Sequence, residues 1–379
     1  MSLLGTYLTL LIGPVVPLPA PPFVMQSLNS LTITNSDDAR SGFQLTFNAG
    51  RSSVLDTDYP LLVSELMKPF NRVIVVVTVG LVPQVLIDGI ITTQELSPSS
   101  RPEGSFLTIT GEDISVMMDL EEKSIAHPSM DAEMIVGTIM LEYEEYGIIP
   151  EILPAELDEI PLLVDRVPIQ QDTDLRYIQA LAAQYGYVFY VAPGPVPGTN
   201  TAYWGPPVRI GVPQSALSVD MGPGTNVEKI SFTYSALAPT LVVGEVLDFD
   251  VDAPLPVATV ESTRIPLAAE PALLVNLPYT RISQLRHGGQ DAVTAEALAQ
   301  GRTDLSTDRT VVAQGELDTL RYGELLKART IVGLRGAGYS YDGLYYVQSV
   351  THQITQKKYT QSFVLTREGL GSTTPEVIP

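Results

Sequence analysis

The sequence has no cysteine, three histidines and one tryptophan among 379 residues. Without thiols it can form no disulfide, thiolate zinc site or cysteine nucleophile, and the redox compartment stays open. His127, His287 and His352 lie far apart in sequence, which leaves little for imidazole catalysis. Charge is scarce as well. Only 17% of residues are charged, where about 25% is usual. A folded chain short of charge hides surface against other subunits, so assembly is expected. Bases are the scarcest charges, 22 against 43 acids for a net −21. That balance excludes wrapping nucleic acid or docking on anionic lipid, both of which need cations. Long apolar runs are missing too. The first 36 residues carry no charge, but Pro14, Pro17, Pro19, Pro21 and Pro22 interrupt them. No base precedes the apolar stretch, which ends near Gly13, too short for a bilayer core of ~30 Å. The sequence predicts neither an export signal nor membrane anchoring.

Apolar residues make up 45% of the chain, enough for a core, and this length predicts two or more domains. Strand patterns dominate the start: 31–34, 42–47, 73–80, 85–91 and 106–110 are short, β-branched or alternating, and bounded by turn residues. Phe43-Gln44-Leu45-Thr46-Phe47 alternates as a half-buried antiparallel strand does. The next stretch is mixed. Helices are predicted over 132–145, with Met134, Ile135, Ile139 and Leu141 on one face, and over 172–185, with Asp172 as N-cap and Gly186 as stop. Residues 192–203 read as a Pro/Gly-rich loop, and a short helix over 291–300 is predicted to end at Gly301. Strands return at 228–234, 326–334, 344–354 and 359–366, a β-meander with turns at 336–343 and 356–358. No fixed-period repeat is visible. The acids are unevenly placed: Glu112 to Asp165 holds fifteen of them against Lys123 alone, and Leu320 onward is net +3.

Motifs for chemistry are weak. His352 alternates with Val350 and Ile354, as a hydrogen-bonded structural histidine would. His287-Gly288-Gly289 has no G-x-S-x-G partner, and Gly336-Ala337-Gly338 lies between strands, where a turn outweighs a dinucleotide site. Glu142, Glu144, Glu145, Glu151, Glu156, Asp158 and Glu159 could supply a glycosidase carboxylate pair. The lone Trp204, in a Pro-rich loop, offers little for sugar stacking, and an acidic solvated or lumen-facing surface is the stronger reading. No spacing suits calcium or another metal. No catalytic residue and no cofactor is expected.

Two longer segments are more telling. Val167 to Ala182, with Gln171, Asp172 and Leu175, runs into Tyr185-Gly186-Tyr187-Val188-Phe189. Near the end come Gly315-Glu316-Leu317-Asp318, Tyr341-Asp342-Gly343-Leu344-Tyr345-Tyr346-Val347 and Tyr359 to Arg367. In this order the chain resembles the phage late control protein D family, the baseplate hubs of contractile tails and injection systems, and is similar to the N-terminal half of VgrG spikes. The resemblance implies a mainly β fold with an α+β insertion: two tail-tube-like β-barrels plus a mixed domain inserted between and into them. Its boundaries would be a first barrel at 1–112, a mixed region at 113–225 and 241–309, a second barrel at 226–240 and 310–367, and a C-terminal tail at 368–379. It implies a homotrimer whose six similar barrels adapt a six-fold tail tube to a trimeric spike, with baseplate wedge proteins as further partners. The location implied is the baseplate of a virion or injection particle assembled in the bacterial cytoplasm. Family members fused to their spike continue into a β-helix, so a chain ending at Pro379 implies a separate spike protein. DNA or effectors would pass through without specific binding, past an acidic channel surface for which Glu142, Glu144 and Glu145 are the candidates. The alternatives are the distal hub of a non-contractile long tail, or a secreted β-rich glycosidase or sugar-binding protein.

Overall fold

The computed structural model describes the chain except residues 1, 4–5, 15, 51–57, 81, 100–103, 156–166, 249–252, 287–291 and 375–379. The fold is mainly β with an α+β insertion. Among the described residues, a 14-stranded sheet runs through both β-rich ends of the chain. The N-terminal lobe contributes Thr6–Gly13, Leu28–Ser36, Gly42–Asn48, Arg72–Val79, Val82–Ser97 and Phe106–Asp113. The C-terminal lobe contributes Gln214–Ser218, Val227–Tyr234, Val311–Asp318, Ile331–Arg335, Gly343–Thr355 and Tyr359–Arg367. Gln214–Ser218 pairs with Ile331–Arg335, so this lobe also takes in a strand that the sequence reading leaves in the mixed region. Alternation places Leu31, Ile33, Leu45, Phe47, Leu107 and Ile109 inward around one core. Val311, Ala313, Tyr345, Val347, Phe363 and Leu365 face a second.

The lobes repeat one topology. Counted along the chain within each lobe, the strands lie side by side in the order first, fourth, fifth, sixth, third, second. Irregularities recur with the order. The second strand bulges between Leu28 and Ser30 in one lobe and between Val227 and Lys229 in the other. The fifth strand bulges between Ile91 and Thr93, and between Val347 and Ser349. Before the fourth strand, Phe70 and Arg329 both have φ 68°, a rare conformation for a bulky residue. One difference stands out: the first strand runs antiparallel to the fourth in the N-terminal lobe and parallel to it in the C-terminal lobe. No sequence period announces this duplication.

Between the lobes, Asn200–Gly205 sits between Ile148–Ile152 and Val188–Pro193 in a small sheet, backed by helices Ala132–Leu141 and Asp174–Gln184. Trp204 is therefore on a strand rather than in a loop, fully buried and edge-on to Tyr185 and Tyr187. The first helix buries Ile135, Val136, Ile139 and Met140, while Met134 and Leu141 of the expected face are exposed. Thr173, not Asp172, caps the second, its hydroxyl accepting from Arg176 N, and Asp172 instead holds Thr173 N. A second insertion pairs Thr240–Asp248 with Ala253–Ala258 and Arg281–Gln284 and packs helix Ala292–Asp308 against them. That helix passes through Gly301 instead of ending there. A Cβ at Gly301 would lie 2.5 Å from Gly186 N, so glycine is needed for close approach of backbones rather than as a stop.

Candidate functional site: the seam between the lobes

Neither lobe stands alone. Leu28–Ser36, the last strand of the N-terminal lobe in sheet order, pairs antiparallel with the far half of Gly343–Thr355, from Ser36↔Ser349 to Ser30↔Thr355. Thr34 and Thr351 hydroxyls bond across this seam at 3.0 Å, and His352 lies opposite Ile33. Such a ladder fixes the orientation of the lobes through main-chain bonds. Ile354 and Tyr359 extend the N-terminal core across it.

Polar anchors flank the seam. Arg329 is buried and donates from Nη2 to the Ser36 carbonyl and Ser41 Oγ, both at 2.7 Å. Its guanidinium lies 4.0 Å from the Tyr190 ring centroid, tying in the mixed region by cation–π attraction. Tyr346 OH donates to Asp37 Oδ2 at 2.6 Å. Burial pushes the Asp37 carboxyl up to about 6 despite that bond. In the seam strand, His352 Nδ1 and Tyr359 OH are hydrogen-bonded at 2.8 Å, and burial pushes the imidazole down to about 4. His352 is thus held neutral, in the structural role its alternation suggests.

Two further ionic clusters fix the mixed region. Arg72 binds Asp88 in a bidentate pair, both bonds 2.7 Å. It also donates to the Tyr146 and Gly198 carbonyls, and Asn200 Nδ2 donates to Asp88 Oδ2 at 3.1 Å. Buried Arg209 pairs with Asp308 at 2.6 Å and Glu368 at 2.8 Å. Glu368 also accepts from Leu267 N and Ala268 N. Buried pairs such as these specify arrangement more than they add stability.

The acidic candidates lie elsewhere. Glu142, Glu144 and Glu145 are exposed at the end of helix Ala132–Leu141. Lys123 Nζ reaches Glu142 at 2.7 Å and Asp174 at 2.6 Å, and Tyr143 OH donates to Asp174. Glu144 and Glu145 make no ion pair among the described residues. The structure therefore groups the three but partly neutralises one. Glu156, Asp158, Glu159 and His287-Gly288-Gly289 lie outside the described residues. Buried Trp204 has no face open for stacking sugar. No three His, Asp or Glu side chains gather as metal ligands among the described residues, and none of the described helices is long and apolar enough to cross a membrane. Sequence reasoning missed the seam anchors. Arg329 and Asp37 lie 292 positions apart, and nothing in the sequence pairs them.

No family model matches the chain, and no curated protein matches it. Solved structures do. A tail protein from Neisseria meningitidis MC58 is similar over 97% of this chain and 98% of its own, at 11% identity and TM-score 0.64. The 43 kDa tail protein of prophage MuSo2 from Shewanella oneidensis is similar over 96% and 98%, at 12% identity and TM-score 0.61. An Escherichia coli component of the type VI secretion system, described as similar to T4 bacteriophage tail proteins, is similar over 93% and 77%, at 12% identity and TM-score 0.54. The chain shares its fold with these phage tail and secretion-system components over 93% or more of its length.

Proposed function

We propose that the chain is a structural baseplate hub, in which three copies close a ring of six β-lobes. The ring would meet a six-fold tail tube on one face and a three-fold spike on the other, in a contractile phage tail or injection particle. The observation that carries this reading is the duplication: two lobes with the same strand order, bulges and left-handed turn residue, locked edge to edge in one chain. A chain with two equivalent lobes turns three-fold assembly into near six-fold symmetry, which resolves the mismatch between tube and spike. The buried ionic clusters suit a part that must hold its domains in fixed orientation. The role is that of an adaptor rather than a catalyst. The exposed Glu142, Glu144 and Glu145 face is assigned to the passage, where it would repel DNA or an acidic effector from the wall. Solution mass, alone and with the tube and spike proteins, tests the proposal. A trimer, or a trimer formed only with the spike, is expected, and a stable monomer that binds neither overturns it.

A further inference from the structure

If the lobes are equivalent, the seam between them has a counterpart that one chain cannot make. The recurrent bulges set the correspondence: Leu28↔Phe47 matches Val227↔Leu317, and Ile91↔Gly111 matches Val347↔Leu365. The turns agree with it, since Phe70 N donates to Ile91 O at 2.8 Å where Arg329 N donates to Val347 O at 2.6 Å. Within the chain, the second strand of the N-terminal lobe pairs with the far half of the fifth strand of the C-terminal lobe. The second strand of the C-terminal lobe, Val227–Tyr234, ends the sheet and, among the described residues, has a strand partner on one side only. The far half of the N-terminal fifth strand, Thr93–Ser97, pairs with Phe106–Thr110 but has no strand on its other side among the described residues, because Arg72–Val79 stops opposite Ile90.

We propose that these two open edges are one interface: Val227–Tyr234 of one copy pairs antiparallel with Thr93–Ser97 of the next, head to tail, closing the ring. This rests on the hub reading above. Transposing the internal seam gives the register, from Thr93↔Ser235 to Ser97↔Ser231, with Glu95 opposite Thr233 and Leu96 opposite Phe232. Pro98 then ends the ladder, for want of an N–H. Three observations agree. Leu31 and Ile33 are 2% and 0% exposed in the internal seam, while their counterparts Ile230 and Phe232 are only half-buried, as at a surface awaiting a neighbour. Exposure alternates along Thr93–Ser97 in the same phase as along the buried counterpart. Phe70, the counterpart of the seam anchor Arg329, is 64% exposed in its strained conformation. Arg329 lies beside the chain that carries Asp37 and Asp38. The counterparts of those acids are Ala236 and Leu237, the latter 62% exposed. An apolar pair, Phe70 and Leu237, thus stands where the internal seam has Arg329 and the two acids, and each edge matches only its own partner.

The absence of native cysteine makes a cross-linking test clean. The double variant Glu95→Cys/Thr233→Cys, oxidised alone and with the tail tube protein present, should give a covalently closed trimer on a non-reducing gel. A mixture of the two single variants should give dimers only. Glu95→Cys/Ser231→Cys, about 7 Å out of register, should not close, being outside disulfide reach. Phe70→Gly relieves the backbone and should abolish the trimer while leaving the thermal stability of the chain unchanged or raised. A native trimer that fails to cross-link in this register, or that survives Phe70→Gly, overturns the interface and leaves the hub reading standing. A chain that is monomeric throughout and does not bind the tube overturns both.

Discussion

Where the N-terminal lobe has Arg72 and Asp88, the corresponding positions of the C-terminal lobe hold Ile331 and Leu344. Both pairs sit on the fourth and fifth strands, and both dock a neighbouring segment. Arg72 and Asp88 grip the backbone at Tyr146 and Gly198 with Asn200, whereas Ile331 and Leu344 pack with Leu267 and Tyr346 in a small apolar cluster. A second difference lies deeper. Phe43 on the third strand covers Gly111 on the sixth, its cross-strand partner. The C-terminal lobe also covers a glycine with a ring across these two strands, but two residues further along and with the strands reversed: Gly315 on the third and Phe363 on the sixth, where the N-terminal lobe has Leu45 and Ile109. At the docking positions one topology therefore tolerates opposite chemistry at the same place, provided that volume and polar partners are kept together.

The largest test of this comparison is the docking pair. Arg72→Ala should cost about 3–5 kcal/mol in urea unfolding, because Asp88 is left buried without its cation. Ile331→Ala should cost about 2–4 kcal/mol, as a cavity. Arg72→Leu with Asp88→Leu imitates the C-terminal lobe, and it should recover most of the loss from Arg72→Ala if the apolar solution is equivalent. A double variant as unstable as Arg72→Ala would show that the backbone bonds to the mixed region, and not the docking geometry, require the charges.

The seam separates the lobes in a second way, through pH. Asp37 is raised by burial to about 6, so the folded state holds its proton more tightly than the unfolded chain. Stability from this group is greatest in acid and falls as pH rises from about 4 to 6. His352 is lowered by burial to about 4, so the unfolded chain binds the proton more readily. Its contribution is lost as pH falls from about 6.5 to 4. Each slope amounts to roughly 3 kcal/mol, and the two oppose each other across the same window. The native chain should show little net dependence from this pair. Asp37→Asn should unmask a loss of stability toward acid, and His352→Leu, which restores the residue type of Leu96 in the other lobe, a gain toward acid. Parallel unfolding curves from pH 4 to 7 decide it, and identical slopes in all three proteins would refute the pairing.

The ring-covered glycines give a smaller effect. A Cβ on Gly111 would lie 2.3 Å from Phe43 Cζ, and one on Gly315 2.4 Å from Phe363 Cζ. Gly111→Val or Gly315→Val should each destabilise by about 1–3 kcal/mol through overpacking. Shrinking the ring in the same strand pair, with Phe43→Leu or Phe363→Leu, should recover part of the loss in its own lobe and none in the other.

These exchanges explain what the sequence concealed. Alternation in Phe43 to Phe47 and the β-branched run at Val73 expose strands because half-burial imposes a period of two. The layout of β, mixed and β regions was therefore legible. The duplication was not, because equivalent positions exchange Arg72 for Ile331 and Asp88 for Leu344, and hold Phe43 and Gly111 against Ala313 and Leu365, which leaves no recurring letters. Gly301 was misread for a related reason: a glycine demanded by Gly186 across the domain has the same local appearance as one that ends a helix. The mixed-region core hid Trp204 behind prolines. At the candidate site, the grouping of Glu142, Glu144 and Glu145 follows from their proximity in the chain. Lys123, nineteen residues earlier, reaches Glu142 only through the fold.

That last contact divides the acidic face, and it supplies the gentlest test. Glu142 shares Lys123 with Asp174, whereas Glu144 and Glu145 project without an ion pair among the described residues. Neutralising the exposed pair, Glu144→Gln with Glu145→Gln, should change folding stability by no more than about 0.5 kcal/mol. On the proposed placement in the passage, a less acidic wall should slow release of DNA or an acidic effector, most visibly at low salt, where screening is weakest. Glu142→Gln leaves Lys123 still paired with Asp174, so it should slow release less than the exposed pair does. Release kinetics on particles carrying each variant measure the difference. Unchanged release with impaired particle assembly would move the acidic face from the channel to a contact with basic neighbours in the baseplate.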